Sequence, residues 1–473
     1  MRAAEKKSAP IRRGAAAATA VANKNTSVMA DVGLASLVAD ISDPANWQGM
    51  RWPPDACERA VFRSGTSVTI RKLGSGQSCT VVLVSTDTQC VALKYMSSSC
   101  AAEEMEFIQS ELQTEAAILM QLERDMGDED AKRHIGLYLG CVNLSRRRYN
   151  YVLFLEPYTH YVQIHQLVCG NVRLGEEPQF GATWLECVRQ ALFQIFCTLA
   201  QLQAAYPAFR HNDVLDTNVL VGCFEPAPGE EVPYAVGGAH FSLRDLRVDV
   251  KLVDFANAYG AGLRNPQVEG GDYDSFDITP DMCPLYDVQL LFICLMLRIR
   301  ATANVEGQLT ESPYGAQLLS FITDVIPAQY LEKNSGDGRY KLVANTSRLT
   351  MYGQRCIQVD PAVRYRTPAA ALLHPFFIPY FRGFDMGVSV SVRVTDVGGD
   401  GDVDVEMMCD EVMNADGSVS VSASASASES VAREQKQEQK QKQEAPSQLD
   451  LAPVPVAGAL ELWNAFSIMP MLA

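Results

Sequence analysis

Two polar side chains, Asp213 and Asn218, stand five positions apart, after His211 and before an apolar run. A short loop with this spacing can hold one carboxylate that accepts a proton and one amide that binds a metal ion. The pattern H-x-D-x-x-x-x-N also occurs by chance in many chains. Its value therefore depends on whether the other groups that phosphoryl transfer requires lie in order on either side.

Phosphoryl transfer requires groups that position phosphate, a cation on the phosphates, metal ligands and a proton acceptor. Upstream, Gly74 and Gly76 occupy a predicted turn between strands, where backbone N–H groups can approach phosphate. Lys94 follows in the V-A-L-K of a predicted strand, and Glu115 on a predicted helix could pair with it. Downstream, Asp254 ends an apolar strand and could bind Mg²⁺.

Each of these groups also has an ordinary structural explanation. The glycines could form a simple hairpin turn, and Lys94 could be an exposed residue of an edge strand. Glu115 could be a solvated helix residue, and Asp254 could be a turn residue that closes a strand. Chance explains their common order along the chain much less well, so we interpret them as one set.

The elements that position this set are predicted from apolar patterns. The predicted strands are two that meet at Gly-Ser-Gly within 66–84, then 90–96, 149–158, 219–221 and 248–253; the predicted helices are 103–123, 185–202, 285–298 and 314–326. The stretch 222–245, rich in Gly, Pro and acidic residues, is interpreted as a surface loop.

Composition narrows the class of protein. The chain has 473 residues and a formal net charge of −16, which argues against non-specific nucleic-acid binding. Its 13 cysteines form no C-x-x-C pair, which favours reduced thiols in an intracellular protein over a disulfide framework or a zinc site. Because the sequence has no apolar run of about 18 residues, no membrane span is expected.

Both ends of the chain differ in composition from the middle. Residues 1–46 form a basic, Ala-rich extension, and 386–473 an acidic, low-complexity tail. Both are predicted to be disordered because they bury too little apolar surface to offset chain entropy. A targeting peptide at 12–22 is disfavoured because the run has no Leu, Ile or Phe. The apolar end at 460–472 could dock on the domain or a partner, or fray.

The ordered motifs resemble those of a protein kinase domain of the eukaryotic type, over residues 66–381. The L-G-S-G turn, V-A-L-K, H-N-D and D-F-A follow one another as in that family. Further support comes from Asp287, at the place of the family's Asp on a central helix, and from D-P-A-V-R…H-P-F-F, whose Arg364 matches a characteristic Arg. The H-N-D loop, the compact activation segment and the long insertion before Asp254 are similar to those of serine/threonine kinases of large DNA viruses.

The resemblance implies an α+β, bilobal fold with disordered N- and C-terminal extensions. The kinase domain would span 47–385. It would comprise a small β-rich lobe at 47–155, a hinge at 156–158 and a larger, mainly helical lobe at 159–385.

The resemblance also implies a set of site residues. Asp213 would accept the proton of the substrate hydroxyl, Lys94 held by Glu115 would bind the phosphates, and Asn218 and Asp254 would hold Mg²⁺. ATP would lie between the lobes, with Leu155 at the back of the pocket. The implied nucleotide contacts are Leu73, Gly74, Gly76, Cys79, Val81, Ala92, Lys94, Glu156, Tyr158 and Leu220.

The chain departs from the family pattern at several positions. Asn212 replaces the Arg that precedes the catalytic Asp, which predicts activity without phosphorylation of the activation loop. Leu215 stands where serine/threonine kinases carry a Lys near the γ-phosphate. Cys79 replaces the third glycine of the loop, and Ala256 replaces the glycine after Asp-Phe. No A-P-E triplet lies between D-F-A and the predicted central helix.

The resemblance therefore implies an enzyme that uses ATP and Mg²⁺ to phosphorylate hydroxyls of a protein substrate, chiefly Ser and Thr. The implied location is the cytoplasm or, for a viral protein, the host cytoplasm or the virion. A pseudokinase or scaffold is a second interpretation, favoured by the departures. A kinase of small molecules is a third, disfavoured by the D-P-A-V-R…H-P-F-F end.

Overall fold

The fold comes from a computed structural model with two compact units, 1–382 and 383–473. The structure describes residues 32–47, 58–76, 79–96, 104–126, 132–143, 151–174, 179–227, 229–271, 284–302, 304–326, 365, 367–384, 390–395 and 404–409. Several sequence predictions fall on residues outside these ranges: 1–31, 272–283, Arg364 and the apolar end 460–472.

The described elements of the first unit mix helices and strands, as the α+β class requires. The strands are β1 (Glu58–Val61), β2 (Ser67–Ser75), β3 (Cys79–Ser85), β4 (Cys90–Met96), β5 (Tyr138–Asn143), β6 (Tyr151–Leu155), β7 (Tyr161–Gln163), β8 (Val219–Cys223), β9 (Glu231–Val236), β10 (Ala239–Arg244) and β11 (Val248–Leu252), followed by β12 (Phe381–Phe384) at the unit boundary. The helices are α1 (Val32–Ser42), α2 (Met105–Asp125), α3 (Ile164–Val168), α4 (Ala182–Ala205), α5 (Pro266–Glu269), α6 (Tyr286–Ala301), α7 (Val305–Glu311), α8 (Pro313–Val325) and α9 (Pro368–Ala371), with 3₁₀ segments at Pro44–Trp47, Phe255–Asn257 and Pro375–Tyr380.

The first sheet has the order β1-β2-β3-β4-β6-β5, and its neighbouring strands are antiparallel. Because side chains alternate along a strand, its two faces differ. One face is apolar and β-branched, as suits a buried sheet; its core residues are Phe62, Val68, Ile70, Val82, Val84, Val91, Leu93, Tyr95, Leu139, Val152 and Phe154. On the other face Lys94 lies opposite Val81 and Leu153.

Helix α1 covers the apolar face of this sheet. Leu34, Leu37 and Ile41 recur at helical spacing, and they join the core of the sheet. The prediction that all of 1–46 is disordered is therefore wrong for 32–46. The cause is the short apolar stripe, which lies among Ala, Ser and Asp and is hidden by the surrounding low-complexity composition.

Hydrogen bonds also attach α1 and its C-terminal turn to the turn after β1. The Asp40 carboxylate accepts from the hydroxyls of Ser64 at 2.8 Å and Thr66 at 2.7 Å. The Asn46 side-chain oxygen accepts from the N–H of Arg63 at 2.6 Å. Residues 32–46 thus belong to the folded domain.

Replacing Ile41 with Ala tests this assignment. Ile41 is fully buried, so its truncation should lower the free energy of unfolding by about 2–4 kcal/mol. Chemical denaturation of the full chain would measure the loss. Ser36→Ala, on the exposed side of α1, is the control and should change stability by at most about 0.5 kcal/mol. Equal effects of the two substitutions would contradict the packing of α1.

The second half of the first unit is built around α4, which is buried along most of its length. An aromatic cluster packs around it; the cluster consists of Phe193, Phe196, Phe292, Phe321 and Phe377. A short sheet of order β11-β8-β7 lies alongside. The Gln194 side chain bridges the outer edge of β11, since it accepts from the N–H of Val250 at 3.0 Å and donates to the carbonyl of Val248 at 2.9 Å.

The stretch predicted as a surface loop is instead largely the hairpin β9–β10, which belongs to a sheet of order β12-β10-β9. Its turn is Gly237-Gly238, with φ of 56° and 80°, the conformation that favours glycine in two-residue hairpins. Tyr234 of β9 is 2% exposed, and its hydroxyl lies 3.1 Å from a ring nitrogen of His134. The loop prediction is wrong because Gly and Pro obscured the alternation of apolar residues along β9.

The helices predicted at 103–123, 185–202, 285–298 and 314–326 are confirmed as α2, α4, α6 and α8. Strands β1, β5, β7 and β12 were not predicted. In the second unit, β13 (Val390–Thr395) pairs antiparallel with β14 (Asp404–Cys409), which corrects the prediction of a wholly disordered tail at 386–473. The correction has a local cause: valines alternate along β13, as in other strands.

Among the described residues, no single helix has both the length and the apolar character to cross a membrane. The bent pair α6 and α7 satisfies those two criteria only when its helices are taken together.

Candidate active site

A buried ion-pair cluster joins three elements of the first unit. The Lys94 ammonium on β4 lies 2.7 Å from the carboxylate of Glu115 on α2, and 2.7 Å from that of Asp254, which follows β11. Glu115 shares the buried face of α2 with Leu112 and Leu119, so helical periodicity directs it towards the sheet. The side chains of Lys94 and Glu115 are 10% and 1% exposed, whereas that of Asp254 is 39% exposed.

The cluster keeps Lys94 charged. Burial alone would lower the pKa of Lys94, but the carboxylates of Asp254 and Glu115 outweigh burial and raise it well above the ordinary value. Burial raises the pKa of Glu115, and the ammonium only partly offsets this. Burial alone would raise the pKa of Asp254, but the charge of Lys94 and the hydrogen bond that Lys94 donates, with a smaller contribution from His211, together lower it. Asp254 is therefore the more strongly ionised of the two carboxylates.

The loop before β8 brings Asp213 and Asn218 together. The Asn218 side-chain N–H₂ group donates to the backbone carbonyl of Asp213 at 3.0 Å and to its carboxylate at 2.8 Å. These bonds orient the amide so that its oxygen points away from Asp213. The carbonyl of Asn218 accepts from the N–H of Val253 at 3.1 Å, which sets this loop beside the residue preceding Asp254.

Asp287, near the start of α6, anchors the backbone of the same loop. Its two carboxylate oxygens accept from the backbone N–H groups of His211 at 2.7 Å and Asn212 at 2.9 Å. Burial raises the pKa of Asp287 to about 6, although these bonds and the guanidinium of Arg210 oppose the shift. Asn212 adopts φ of 63°, which Asn tolerates better than most residues. The backbone of the loop is thereby fixed on α6.

His211 packs against Phe255, the residue after Asp254, with the two rings tilted by 52°. Its ring lies 4.4 Å from that of Phe255, and both side chains are fully buried. Burial lowers the pKa of His211 to about 4, so the ring is neutral at physiological pH. Because the ring is uncharged, its contact with Phe255 acts mainly through apolar packing.

His211 should make the domain sensitive to acid. Because the folded pKa of about 4 lies below the unfolded value of 6.5, the unfolded chain binds protons more readily. Stability is then lost as the pH falls from about 6.5 towards 4. At pH 5 this amounts to about 2 kcal/mol relative to pH 7. Asp287 has the opposite effect, but it is unchanged in the comparison that follows.

The substitution His211→Phe keeps a ring against Phe255 and removes the titrating group. Denaturation at pH 7 and pH 5 should show that this variant loses about 2 kcal/mol less than the unmodified chain. His160→Gln, at an exposed histidine, is the control and should lose as much as the unmodified chain. An unchanged pH dependence in His211→Phe would contradict the burial of a neutral His211.

The turn between β2 and β3 leaves open space above the sheet. Leu73 lies at a register shift and is 39% exposed, and Gly74 pairs with Val81. A Cβ added to Gly74 would meet no atom within 4 Å. The turn closes through the N–H of Gly76, which donates to the carbonyl of Cys79 at 2.8 Å. The thiol of Cys79 stays protonated, since burial raises its pKa to about 12.

The segment after β6 has two backbone polar groups that remain free for a ligand. The N–H of Glu156 donates to the carbonyl of Leu137 at 3.0 Å, and the carbonyl of Tyr158 accepts from the N–H of Tyr161 at 3.1 Å. The Tyr158 hydroxyl donates to the Glu156 carboxylate at 3.0 Å. In the part of the chain that the structure describes, the carbonyl of Glu156 and the N–H of Tyr158 make no hydrogen bond. One acceptor and one donor are therefore available side by side.

The remaining predicted contacts divide between two sheets. Ala92 lies opposite Leu155 and two residues from Lys94, so these side chains share the face of the first sheet that carries the ion pairs. Val81 belongs to the same face. Leu220 lies on β8 in the second sheet, opposite Lys251 of β11.

Two of the departures from the family pattern have a local explanation. Leu215 packs beside the apolar residues Tyr286 and Leu290 of α6. Ala256 sits in a 3₁₀ turn and is not among the residues with positive φ, whereas Asp254 has φ of 69°. The left-handed residue of this turn is thus Asp254 and not residue 256. Ala256 therefore causes no backbone strain.

Several buried polar residues of the site escaped sequence reasoning. Asp216 is 5% exposed, and its carboxylate lies 2.9 Å from His165 and 2.8 Å from Arg298. These contacts tie the loop to α3 and α6. Asn265, which binds the residues after Asp254, had one available signal: Asn followed by Pro often begins a helix. The Asp216 contacts had none, because their partners are far apart in sequence.

Metal binding at this site would depend on few protein ligands. Across the described ranges, no group of three or more His, Cys, Asp and Glu side chains is arranged to hold a metal ion. One carboxylate from Asp254 and one amide oxygen from Asn218 remain, and both are oxygen donors. Mg²⁺ commonly binds proteins through one or two such groups together with phosphate oxygens and water, so these two residues fit Mg²⁺ carried with a nucleotide.

No family model matches the chain. A curated protein of Acanthamoeba polyphaga mimivirus, provisionally named a serine/threonine-protein kinase, is 25% identical over 222 residues, 44% of this chain. The match covers 46% of that relative, so it spans about half of its length. A crystal structure of a kinase domain aligns with a TM-score of 0.33 and 16% identity, over 66% of this chain and 95% of the other. The mimivirus match and the ordered set of site motifs together support a protein kinase-like domain in this chain.

Proposed function

We propose that this chain is an ATP-dependent protein kinase that phosphorylates Ser and Thr hydroxyls of a protein substrate. Its domain would be bilobal, with lobes at 47–155 and 159–385 joined by a hinge at 156–158, and the nucleotide would bind between them. The observation that carries the proposal is the Lys94 ammonium held 2.7 Å from both Glu115 and Asp254. It brings a buried cation and an ionised carboxylate to one place, as phosphate and metal binding require.

The adenine ring would bind through the hinge. Its edge presents a donor beside an acceptor, and the carbonyl of Glu156 and the N–H of Tyr158 complement that pair. The apolar side chains of Val81, Ala92 and Leu220 would cover the two faces of the ring. Leu155, opposite Ala92, would close the back of the pocket.

The phosphates would lie under the turn that contains Gly74 and Gly76, where missing side chains leave room for them. Lys94 would neutralise phosphate charge from within the sheet. Asn218 and Asp254 would hold Mg²⁺, which supplies positive charge to the transferred group when it is bound. Asp254 would exchange part of its contact with Lys94 for the metal.

Asp213 would orient the substrate hydroxyl and accept its proton. Asn218 holds one side of the Asp213 carboxylate at 2.8 Å, and Asp287 fixes the backbone just before it. Such positioning converts an encounter into an ordered reaction, since the groups are aligned before the chemistry begins. The chain thereby supplies both the proton acceptor and the scaffold that aims it.

Fewer observations support the preference for Ser and Thr than support phosphoryl transfer itself. The name of the mimivirus relative supports it. Leu215 weakens it, because the chain has an apolar side chain where a phosphate-binding Lys is expected. Phosphoamino-acid analysis of the products therefore belongs in the central experiment.

The central experiment compares the full chain with Asp213→Asn. An amide at 213 keeps an oxygen for the Asn218 bond but cannot take up the proton, so transfer should fall by at least about 10²-fold. Purified protein would be incubated with labelled ATP, Mg²⁺ and generic acceptors that contain Ser, Thr and Tyr. Asp87→Asn, on an exposed turn between β3 and β4, is the matched control and should keep full activity. Undiminished transfer by Asp213→Asn would refute the assigned role.

A pseudokinase is the second candidate, favoured by the apolar packing of Leu215 against α6. It predicts that ATP and Mg²⁺ raise the thermal midpoint of the chain without any transfer to acceptors. Lys94→Met should abolish that thermal shift under either hypothesis, because it removes the cation from the phosphate site. Transfer that is present in the unmodified chain and lost in Asp213→Asn separates the enzyme from the pseudokinase.

A further inference from the structure

Two asparagine side chains donate hydrogen bonds to the backbone carbonyls of residues 256–258, which follow Asp254 closely in the chain. The Asn265 amide donates to the carbonyls of Ala256 at 2.8 Å and Ala258 at 3.0 Å. The Asn212 amide donates to the carbonyl between them, that of Asn257, at 2.8 Å. We call Asn212 and Asn265 the amide clamp, because together they bind three consecutive carbonyls.

Asn265 is fully buried, and both ends of its amide are engaged. Its oxygen accepts from the N–H groups of Gln267 at 3.1 Å and Val268 at 3.4 Å, which begins α5. Its N–H₂ group has two hydrogens, and both are directed at residues 256–258. One side chain therefore joins the start of α5 to the turn behind Asp254.

The turn needs such support. Asp254 adopts φ of 69° and ψ of 67°, a left-handed conformation that a Cβ disfavours and that persists only where neighbours enforce it. In the following 3₁₀ segment, Phe255–Asn257, only the carbonyl of Phe255 has a backbone donor among the described residues, the N–H of Ala258 at 3.0 Å. The amide clamp supplies donors to the next three carbonyls, and His211 packs on Phe255.

We propose that Asn265 is a positioning residue for phosphoryl transfer, which acts by keeping Asp254 in the conformation that binds Mg²⁺. The proposal rests on the function proposed above. Without the clamp, Asp254 would spend part of its time in other conformations. The apparent affinity for Mg²⁺ would then fall in proportion to the competent fraction, whereas saturating Mg²⁺ would restore the rate.

A purely structural role for Asn265, as the residue that begins α5, makes a different prediction. Two substitutions separate the roles. Asn265→Ser retains an acceptor for α5 and leaves at most one donor for the clamp. Asn265→Asp retains the acceptor, has no donor, and turns a carboxylate oxygen towards the carbonyls of Ala256 and Ala258. A structural role makes Asp at least as good as Ser at 265, whereas the clamp makes Asp the worse of the two.

The experiment measures transfer to a protein acceptor against Mg²⁺ concentration at saturating ATP. For Asn265→Ser we expect the half-saturating Mg²⁺ concentration to rise about tenfold, the effect of roughly one lost buried hydrogen bond, with little change in the maximal rate. Asn265→Asp should shift it further. Thr367→Ala removes the side-chain acceptor at the start of α9, far along the chain, and is the control for general loosening of a helix start; its Mg²⁺ curve should match that of the unmodified chain.

Three results would overturn the proposal: an unshifted curve for Asn265→Ser, an equal shift in Thr367→Ala, or Asp outperforming Ser. If the unmodified chain transfers no phosphate, the proposed function fails, and hydrogen exchange decides the clamp separately. Backbone amides of 255–258 should then exchange faster in Asn265→Ser than in Thr367→Ala. Equal exchange in these two variants would remove the clamp as well.

Discussion

The arrangement of the site depends on the need to neutralise one buried ammonium group. The side chain of Lys94 is 10% exposed. Its two carboxylate partners are Glu115 on α2 and Asp254, which follows β11. Removal of either partner would leave a buried charge incompletely paired, which is strongly unfavourable. The first sheet, α2 and the strand β11 must therefore keep the relative positions that close both contacts. This single constraint links the face of a sheet, the face of a helix and the end of a strand.

The supports of β11 and of the loop before β8 are mostly uncharged. Gln194 satisfies the outer edge of β11, Asp287 accepts two backbone N–H groups, and Asn218 joins the loop to Val253. Hydrogen bonds of this kind fix direction as well as distance, and in a buried setting an unpaired group is costly. Each backbone contact thus sets the orientation of a neighbouring carboxylate. The geometry of the site follows from backbone hydrogen bonds made several residues away.

The sequence allowed the main helices to be predicted and the candidate site residues to be selected, because both signals are local; the roles of those residues stay predictions. Lys94 lies in an apolar strand, Asp213 and Asn218 lie in one short loop, and long helices have a clear period. The helix α1 and the hairpin β9–β10 were missed because their apolar residues are few and lie within runs typical of loops. Asn265 was missed for a different reason. Its role depends on carbonyls that only the folded chain brings together, and its own neighbourhood indicates no more than a helix start.

The departures from the kinase pattern share one physical character. Asn212 places a neutral amide where the family carries a guanidinium, and Leu215 places an apolar side chain where it carries an ammonium. In this fold the Asn212 amide donates a hydrogen bond to the turn after Asp254, and Leu215 packs against α6. The loop therefore lacks two of the positive charges that the family pattern carries, although it keeps the guanidinium of Arg210 near Asp287, and Lys94 remains paired with its two carboxylates. The turn behind Asp254 is thus held by the neutral amides of Asn212 and Asn265 and by the packing of His211 on Phe255, contacts that need no added charge to form.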